Sequence, residues 1–284
     1  MTKIAIITDS TCNIPPEMID QYHIYVVPQH LIWGTEDLLD ERDITPDQFY
    51  ERLVKDPVHP KTAQPPAPDF AREIERACQD GAAQVFLATL SAELSGTFAS
   101  AKQAAEESQI EVRVHDSKSV AMGLGWQVVA AARARDKGGG LDEMEAVAEA
   151  ARKHTCMMLT LDTLDFLYKG GRIGGARRLV GTALNIKPRL VVDSETGLVT
   201  AGESSRTRSK AIEATYQAFF ARMKPGRPLH VAVHHARAEQ ACQALAERVR
   251  TEYPTAEVIM NGITPVLGTH GGPGALALAG YYED

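Results

Sequence analysis

Three short polar segments stand directly after predicted buried strands and are the first candidates for chemistry. Asp9-Ser10-Thr11, Ser91–Thr97 and Asp116-Ser117 each follow a short apolar run. In a parallel sheet, ligands collect beyond the carboxyl ends of the strands. We therefore expect these segments to converge in space and to form a polar ligand site.

The segment Ser91–Thr97 is the most informative of the three, because it runs through Ser95-Gly96-Thr97 into a predicted helix. Backbone N–H groups at a helix start are unpaired and carry the positive end of the helix dipole, so they attract an anion. Ser95 adds a hydroxyl donor, and Gly96 lets an anion approach the backbone closely. An ordinary serine N-cap followed by glycine explains the residues Ser95-Gly96 equally well.

Three further residues are candidates for contact with a ligand, because each lies beside prolines or glycines. Thr62 lies in the proline-rich stretch Lys61–Pro68, where a threonine is usually only a turn residue. Arg172 follows Gly170-Gly171, a pair that suggests a tight turn aiming the guanidinium at a target. His270 stands before Gly271-Gly272, and the sequence predicts a loop there in which the histidine approaches a ligand.

Motifs for catalysis, nucleotides and metals are weak. Ser95 lies outside a G-x-S-x-G pattern, and no local base accompanies it. Lys169–Gly175 is rich in glycine but has the spacing of neither a P-loop nor a dinucleotide fingerprint. His234-His235 has no carboxylate or third histidine at ligand spacing. We expect no metal and no cofactor, and catalysis is unsupported.

Alternating strands and helices must position these residues. In the first half this alternation predicts right-handed crossovers and a mostly parallel, Rossmann-like sheet with flanking helices. In the second half, Ile186–Val192 and Leu198–Glu203 flank a turn and predict an antiparallel hairpin. We therefore predict an α/β protein of two domains, 1–155 with the parallel sheet and 156–284 with a mixed or antiparallel sheet.

The composition excludes several classes of function. The chain of 284 residues is 44% hydrophobic and carries a net charge of −7, which argues against broad nucleic-acid binding and a polybasic membrane face. Its apolar runs fall short of the roughly 20 residues of a membrane span, and the start of the chain shows no signal-peptide pattern. The four cysteines lie far apart, which fits reduced thiols. These features predict a cytoplasmic protein.

A set of short motifs, taken in order, resembles the DegV family across nearly the whole chain. The motifs are ITDSTCNIP (7–15), VVPQHL (26–31), KTAQPP (61–66), LSGTFASA (94–101), LDTLDFLYKGGRIG (161–174), NIKPRL (185–190), SRTRSKA (205–211) and THGGPGALALA (269–279). The sequence departs from the family pattern at Ala63 and Ala92, where serine is usual, and both departures leave Thr62 and Ser95 in place.

The resemblance implies a function. DegV-like proteins of bacteria enclose a long-chain fatty acid, such as palmitate or oleate, between and within two α/β domains. They can present its carboxylate to a separate fatty acid kinase, a step that serves phospholipid metabolism. The family pattern implies that the carboxylate is held by Thr62, Ser95, Gly96 and His270. The supporting polar network would comprise Arg172, Asp9, Ser10 and Thr97.

The resemblance also implies a contact with the kinase through Arg206 and Arg208, although two arginines on a polar segment are often only solvated surface. Arginine suits an interface, because its planar fork pairs with carboxylates. Accordingly the chain is expected to be an acyl-binding subunit, not an enzyme, with no stable membrane insertion. Two other hypotheses stay open: a phosphotransferase or hydrolase acting alone, and a regulatory binder of another carboxylate.

Overall fold

Strands and helices alternate along the chain in the structure, a computed structural model that describes residues 3–179, 186–224 and 226–283. The strands are β1 (Ile4–Asp9), β2 (Ile24–Val27), β3 (His30–Trp33), β4 (Glu36–Leu39), β5 (Lys61–Ala63), β6 (Gln84–Thr89), β7 (Glu111–Asp116), β8 (Cys156–Thr160), β9 (Lys187–Val192), β10 (Val199–Ser205), β11 (Leu229–His235), β12 (Glu257–Gly262) and β13 (Leu276–Tyr282). The helices are α1 (Pro16–Gln21), α2 (Pro46–Lys55), α3 (Ala67–Gln79), α4 (Thr97–Glu106), α5 (Met122–Asp136), α6 (Leu141–His154), α7 (Asp165–Lys169), α8 (Arg208–Phe220), α9 (Glu239–Glu252) and α10 (Pro265–Gly271).

A parallel four-stranded sheet in the order β2-β1-β6-β7 forms the first half, as the alternation predicts. Every residue of β1 is buried, because helices cover both faces of this sheet. Ile7 belongs to one apolar cluster with Phe70 of α3 and Ala101 of α4, whereas its neighbour Ile6 belongs to another with Trp126 of α5. The two-residue period of the strand thus divides its side chains between two helical layers.

A small antiparallel sheet, β4-β3-β5, stands beside the parallel one. Its edge strand β5 contains Thr62, which pairs with Leu31 of β3. Prolines follow directly: Pro66 is the N-cap of α3, and Pro68 lies in its first turn. Proline suits these positions, because a helix start needs no N–H donor there. The proline-rich stretch is therefore ordered by a strand on one side and a helix start on the other.

A mixed six-stranded sheet in the order β10-β9-β8-β13-β11-β12 forms the second half. The predicted hairpin is present as the antiparallel pair β9–β10. One face of this sheet packs on α8 and α9, with Phe219 and Val249 in the apolar layer. The other face turns toward the first half of the chain, where α5 and α6 pack on β13.

The predicted division at residues 155 and 156 coincides with the passage from α6 to β8. An apolar core crosses this point, because Trp126 of α5 and Ala279 of β13 belong to the same cluster. The Trp126 Nε1–H also donates a hydrogen bond of 3.3 Å to the carbonyl of Ala279. We keep the division into two domains as a prediction that rests on the two separate sheets.

Candidate functional site

A largely apolar cavity lies between the six-stranded sheet and the first half of the chain. Its volume is about 120 Å³, counted as the space open to the centres of water molecules. Its apolar lining comprises Leu90, Leu94, Val120, Ala121, Met157, Leu159, Leu167, Leu190, Val192, Val199, Ile263, Val266, Leu267, Ala275 and Ala277.

One end of the cavity is polar and reaches the surface. Thr62 of β5, Ser95 from the turn before α4, and His270 line this end, and each is partly buried. The exposed Arg172 lies beside them. The predicted loop around His270 is wrong, because this residue lies in the last turn of α10 and the chain leaves the helix only at Gly272. A helix holds its imidazole more firmly than a glycine loop would.

Thr62 and His270 are joined directly, although 208 residues separate them in the chain. The Thr62 Oγ1 and the His270 Nε2 lie 2.9 Å apart. Burial lowers the pKa of His270 to about 4, and the charges of Arg172 and His59 act in the same direction. The imidazole is therefore neutral near pH 7, and its Nδ1 has no hydrogen-bond partner among the described residues.

The glycines before Arg172 have a packing role. A Cβ on Gly170 would lie 2.1 Å from the His270 Nδ1, so only glycine lets this backbone press against the ring. Gly171 has a φ of 71°, which favours glycine and turns the chain back. Arg172 then donates from Nη1 to the carbonyl of Gly170 and from Nε to that of Leu94. This guanidinium links the backbone next to His270 with the backbone next to Ser95.

Ser95 begins a short chain of hydroxyl and amide groups. Its Oγ lies 2.8 Å from the Oγ1 of Thr97, which accepts a hydrogen bond of 3.1 Å from the Nε2 of Gln29. Gly96 is the N-cap of α4, and the N–H of Thr97 at this helix start donates a long hydrogen bond of 3.4 Å to the Ser95 Oγ. A Cβ on Gly96 would lie 2.1 Å from the Gln64 Oε1, so this glycine makes room for Gln64 at the cavity wall.

Asp9 and Ser10 are buried and hold the segments around the site through hydrogen bonds. The Asp9 carboxylate accepts from the N–H and hydroxyl of Thr11 and, at 2.8 Å, from the N–H of Leu90, so its oxygens are already engaged. Ser10 donates to Asp40, whose other oxygen accepts from the N–H of Val266 in the first turn of α10. Asp40 therefore anchors the helix that contains His270.

The three predicted polar segments do converge. Leu90 binds Asp9, the N–H of Ser91 donates to the carbonyl of Ser119, and the N–H of Ala92 donates to Asp116. Only the first two segments reach the cavity, through Thr11 and Ser95. Asp116 instead holds the connecting loops together.

Arg206 and Arg208 lie at the start of α8, outside the cavity lining. Arg206 is exposed. Arg208 is partly buried and donates a hydrogen bond of 2.7 Å from Nη1 to the Oδ1 of Asp162, which also lies 3.5 Å from the Lys187 Nζ. Two cations thus share one carboxylate, which leaves this surface positively charged.

The polar end of the cavity can hold an anion that accepts several hydrogen bonds. Two hydroxyls, the start of α4 and a neutral imidazole offer donors, and within residues 3–179, 186–224 and 226–283 no group of side chains could hold a metal ion. Gln29, Gln64 and Asp40 were not predicted as site residues from the sequence, and His234 was weighed there only as a metal ligand. Gln29 and Gln64 lie inside the motifs quoted above, whereas the local sequence gives no sign of Asp40.

Comparison with known proteins gives a match over the whole described chain. Residues 3–283 match the family model described as "Uncharacterised protein, DegV family". A DegV domain-containing protein of Streptomyces coelicolor is 38% identical over 277 residues, which are 97% of each chain.

Two solved structures share the fold. One is described as fatty acid binding of a DegV family protein from Thermus thermophilus, with 31% identity, a TM-score of 0.92 and coverage of 99% of this chain and 100% of that one. The other is described as DegV, a fatty acid binding protein from Bacillus subtilis, with 30% identity, a TM-score of 0.92 and full coverage of both chains.

Proposed function

This chain belongs to the DegV family, and from that premise we propose that it binds a long-chain fatty acid in the cavity. The observation that carries the proposal is the form of the cavity, an apolar space that ends at Thr62, Ser95 and His270. Related structures described as fatty acid binding share the fold at a TM-score of 0.92. The acyl chain would lie along the six-stranded sheet, with its carboxylate at the polar end.

Burial of the tail would supply most of the affinity. Each buried methylene contributes about 0.8 kcal/mol, so roughly fourteen methylenes offer about 11 kcal/mol before ordering costs. The head-group contacts would mainly fix the orientation of the acid. A carboxylate accepts hydrogen bonds only, and it matches the hydroxyls of Thr62 and Ser95 and the N–H groups at Gly96.

The contacts of the site favour binding over catalysis. A hydrolase needs its nucleophile beside a base, but the Ser95 hydroxyl lies against the Thr97 hydroxyl. The His270 imidazole contacts the Thr62 hydroxyl instead, but no third group orients it for catalysis, because its Nδ1 has no hydrogen-bond partner among the described residues. We therefore propose an acyl-binding subunit, and a phosphotransferase or hydrolase acting alone is the weaker candidate. A regulatory binder of a small carboxylate would not need a cavity lined by so many apolar residues.

The first experiment measures the bound acid. Native mass spectrometry and organic extraction of the purified protein should detect a long-chain fatty acid. After removal of lipid, the protein should bind palmitate or oleate, and it should bind hexadecanol, which has a comparable tail without the carboxylate, more weakly. A protein that carries no such acid and binds neither palmitate nor oleate contradicts the proposal.

We further propose that a fatty acid kinase takes the bound acid as its substrate and forms an acyl phosphate. The polar end reaches the surface beside the exposed Arg172, so a partner can approach the carboxylate. The positively charged surface at Arg206 and Arg208 suits an acidic partner. Within the described residues no helix has the length and apolar character to cross a membrane. We place this reaction in the cytoplasm.

Arg206 offers a cleaner test of this contact than Arg208, because reversing Arg208 would also repel Asp162. Arg206→Glu should leave oleate binding unchanged and reduce phosphorylation of bound oleate by the cognate kinase, most strongly at low salt. Arg250→Glu makes the same charge change on the exposed side of α9, which packs on β11 and β12 at the other end of the sheet from α8, and should have no effect. Equal turnover by the two variants would remove Arg206 from the contact.

A further inference from the structure

A second polar group faces the cavity apart from the carboxylate residues. His234 of β11 is fully buried at 0% exposure and belongs to the cavity lining. Neither of its ring nitrogens has a hydrogen-bond partner among the described residues. A buried imidazole with both nitrogens unpaired is unusual, since nearly all buried polar groups are hydrogen-bonded.

The register of the sheet shows where this histidine lies. One row of side chains crosses the strands from Leu190 through Leu159 and Ala277 to His234 and then to Asn261 of β12. The first four residues of this row line the cavity. Neighbouring strands are about 4.8 Å apart, so His234 stands roughly 14 Å from Leu190 at the other end of this wall. It takes the place of an apolar residue in a surface that would otherwise contact only the tail.

The chemistry of this imidazole limits what it can bind. Burial lowers the pKa of His234 to about 4, and the Asn261 side chain offsets only part of this effect. The ring is thus neutral near pH 7, with one nitrogen that donates and one that accepts. It cannot balance the charge of a second carboxylate. A hydroxyl group, which both donates and accepts, is its natural complement.

Resting on the fatty-acid function proposed above, we propose that His234 hydrogen-bonds a hydroxyl group on the acyl chain. The cavity then selects hydroxylated long-chain fatty acids over their unsubstituted counterparts. The Asn261 side chain, next in the same row, lies close enough to raise the pKa of His234, yet its Oδ1 and the imidazole do not meet in a hydrogen bond of normal geometry. This Oδ1 is a second acceptor close to the same point.

The test uses the lipid-free protein, stearate, and a series of hydroxystearates with the hydroxyl at successive carbons. In the wild type, we expect at least one isomer to bind about tenfold more tightly than stearate, the ratio that one well-placed hydrogen bond supports. His234→Leu should lose this preference and should bind stearate at least as well as the wild type. His234→Gln, which keeps a donor and an acceptor, should retain part of it.

His235→Leu is the matched control, because His235 is the neighbouring residue of β11 and does not line the cavity. It should keep the wild-type preference. If no hydroxystearate binds the wild type more tightly than stearate, or if His234→Leu keeps the preference, the proposal is overturned and a trapped water remains the explanation. If the wild type binds neither stearate nor any isomer, the fatty-acid function itself fails, and this proposal falls with it.

Discussion

A methyl group added at Gly170 should disable the head-group site without unfolding the protein. The backbone of Gly170 has a φ of −74°, a conformation that alanine adopts readily. The new Cβ would lie 2.1 Å from the His270 Nδ1 and 2.7 Å from its Cε1, so the ring must move. Its movement breaks the 2.9 Å contact with the Thr62 hydroxyl.

The expected loss follows from the hydrogen bonds at stake. A hydrogen bond to a charged group contributes about 1.5–3 kcal/mol, and each 1.4 kcal/mol is a factor of about ten in Kd. We therefore expect Gly170→Ala to weaken oleate binding by roughly 10- to 100-fold. The melting temperature should change little, because glycine-to-alanine changes at a permitted φ often stabilise the chain.

Gly175→Ala is the matched control for this variant. Gly175 lies in the same glycine-rich segment, and a Cβ there would meet its nearest neighbour, the Val199 carbonyl oxygen, at an ordinary 3.7 Å. Titration calorimetry with oleate and thermal unfolding should be run on both variants. If Gly170→Ala binds oleate as tightly as Gly175→Ala and both are folded, the assigned role of His270 is wrong.

Three other changes test the rest of the site. Thr62→Ala with Ser95→Ala should weaken oleate binding at least tenfold with little change in hexadecanol binding, and an equal loss for both ligands would contradict the head-group assignment. Gly96→Ala should weaken oleate binding because its methyl group would occupy space at the start of α4 where we propose the carboxylate, and unchanged calorimetry would refute this reasoning; the exposed Gln64 side chain, 2.1 Å from the new Cβ, can move aside. Burial raises the pKa of Asp40 from 3.8 to about 7. The contribution of this carboxyl to the free energy of unfolding is therefore fully present below about pH 4, and it is lost as the pH rises to about 7. Asp40→Asn should therefore gain up to roughly 4 kcal/mol in unfolding free energy relative to wild type between about pH 4 and pH 8, and urea unfolding that shows no such trend would contradict it.

Local rules predicted much of the fold. Thr45 and Gln48 form the capping box that their spacing predicts at the start of α2. Apolar residues at helical spacing place Phe70 and Ile74 on the buried face of α3. The antiparallel sheet β4-β3-β5 was not predicted, because its three short strands pair across a long stretch of chain and lack a strong alternating pattern.

The site was predicted mostly by resemblance, because contacts between distant segments assemble it. No local pattern brings Thr62 to His270 across 208 residues. Gly96 shows the same limit: its role in the approach of an anion stays a prediction, and local reasoning gave no sign that its missing side chain also makes room for Gln64. His234 was considered only as a metal ligand, since its burial in the cavity wall depends on the pairing of β11 with β13.

The position of a bound acid tests the central claim most directly, and a crystal structure of the protein with oleate measures it. We expect carboxylate oxygens within about 3 Å of the Thr62 Oγ1 and the Ser95 Oγ. The tail should then run along Leu159 and Ala277 of the six-stranded sheet. Oleate bound outside the cavity, or bound in reverse with its carboxylate at His234, would contradict the account.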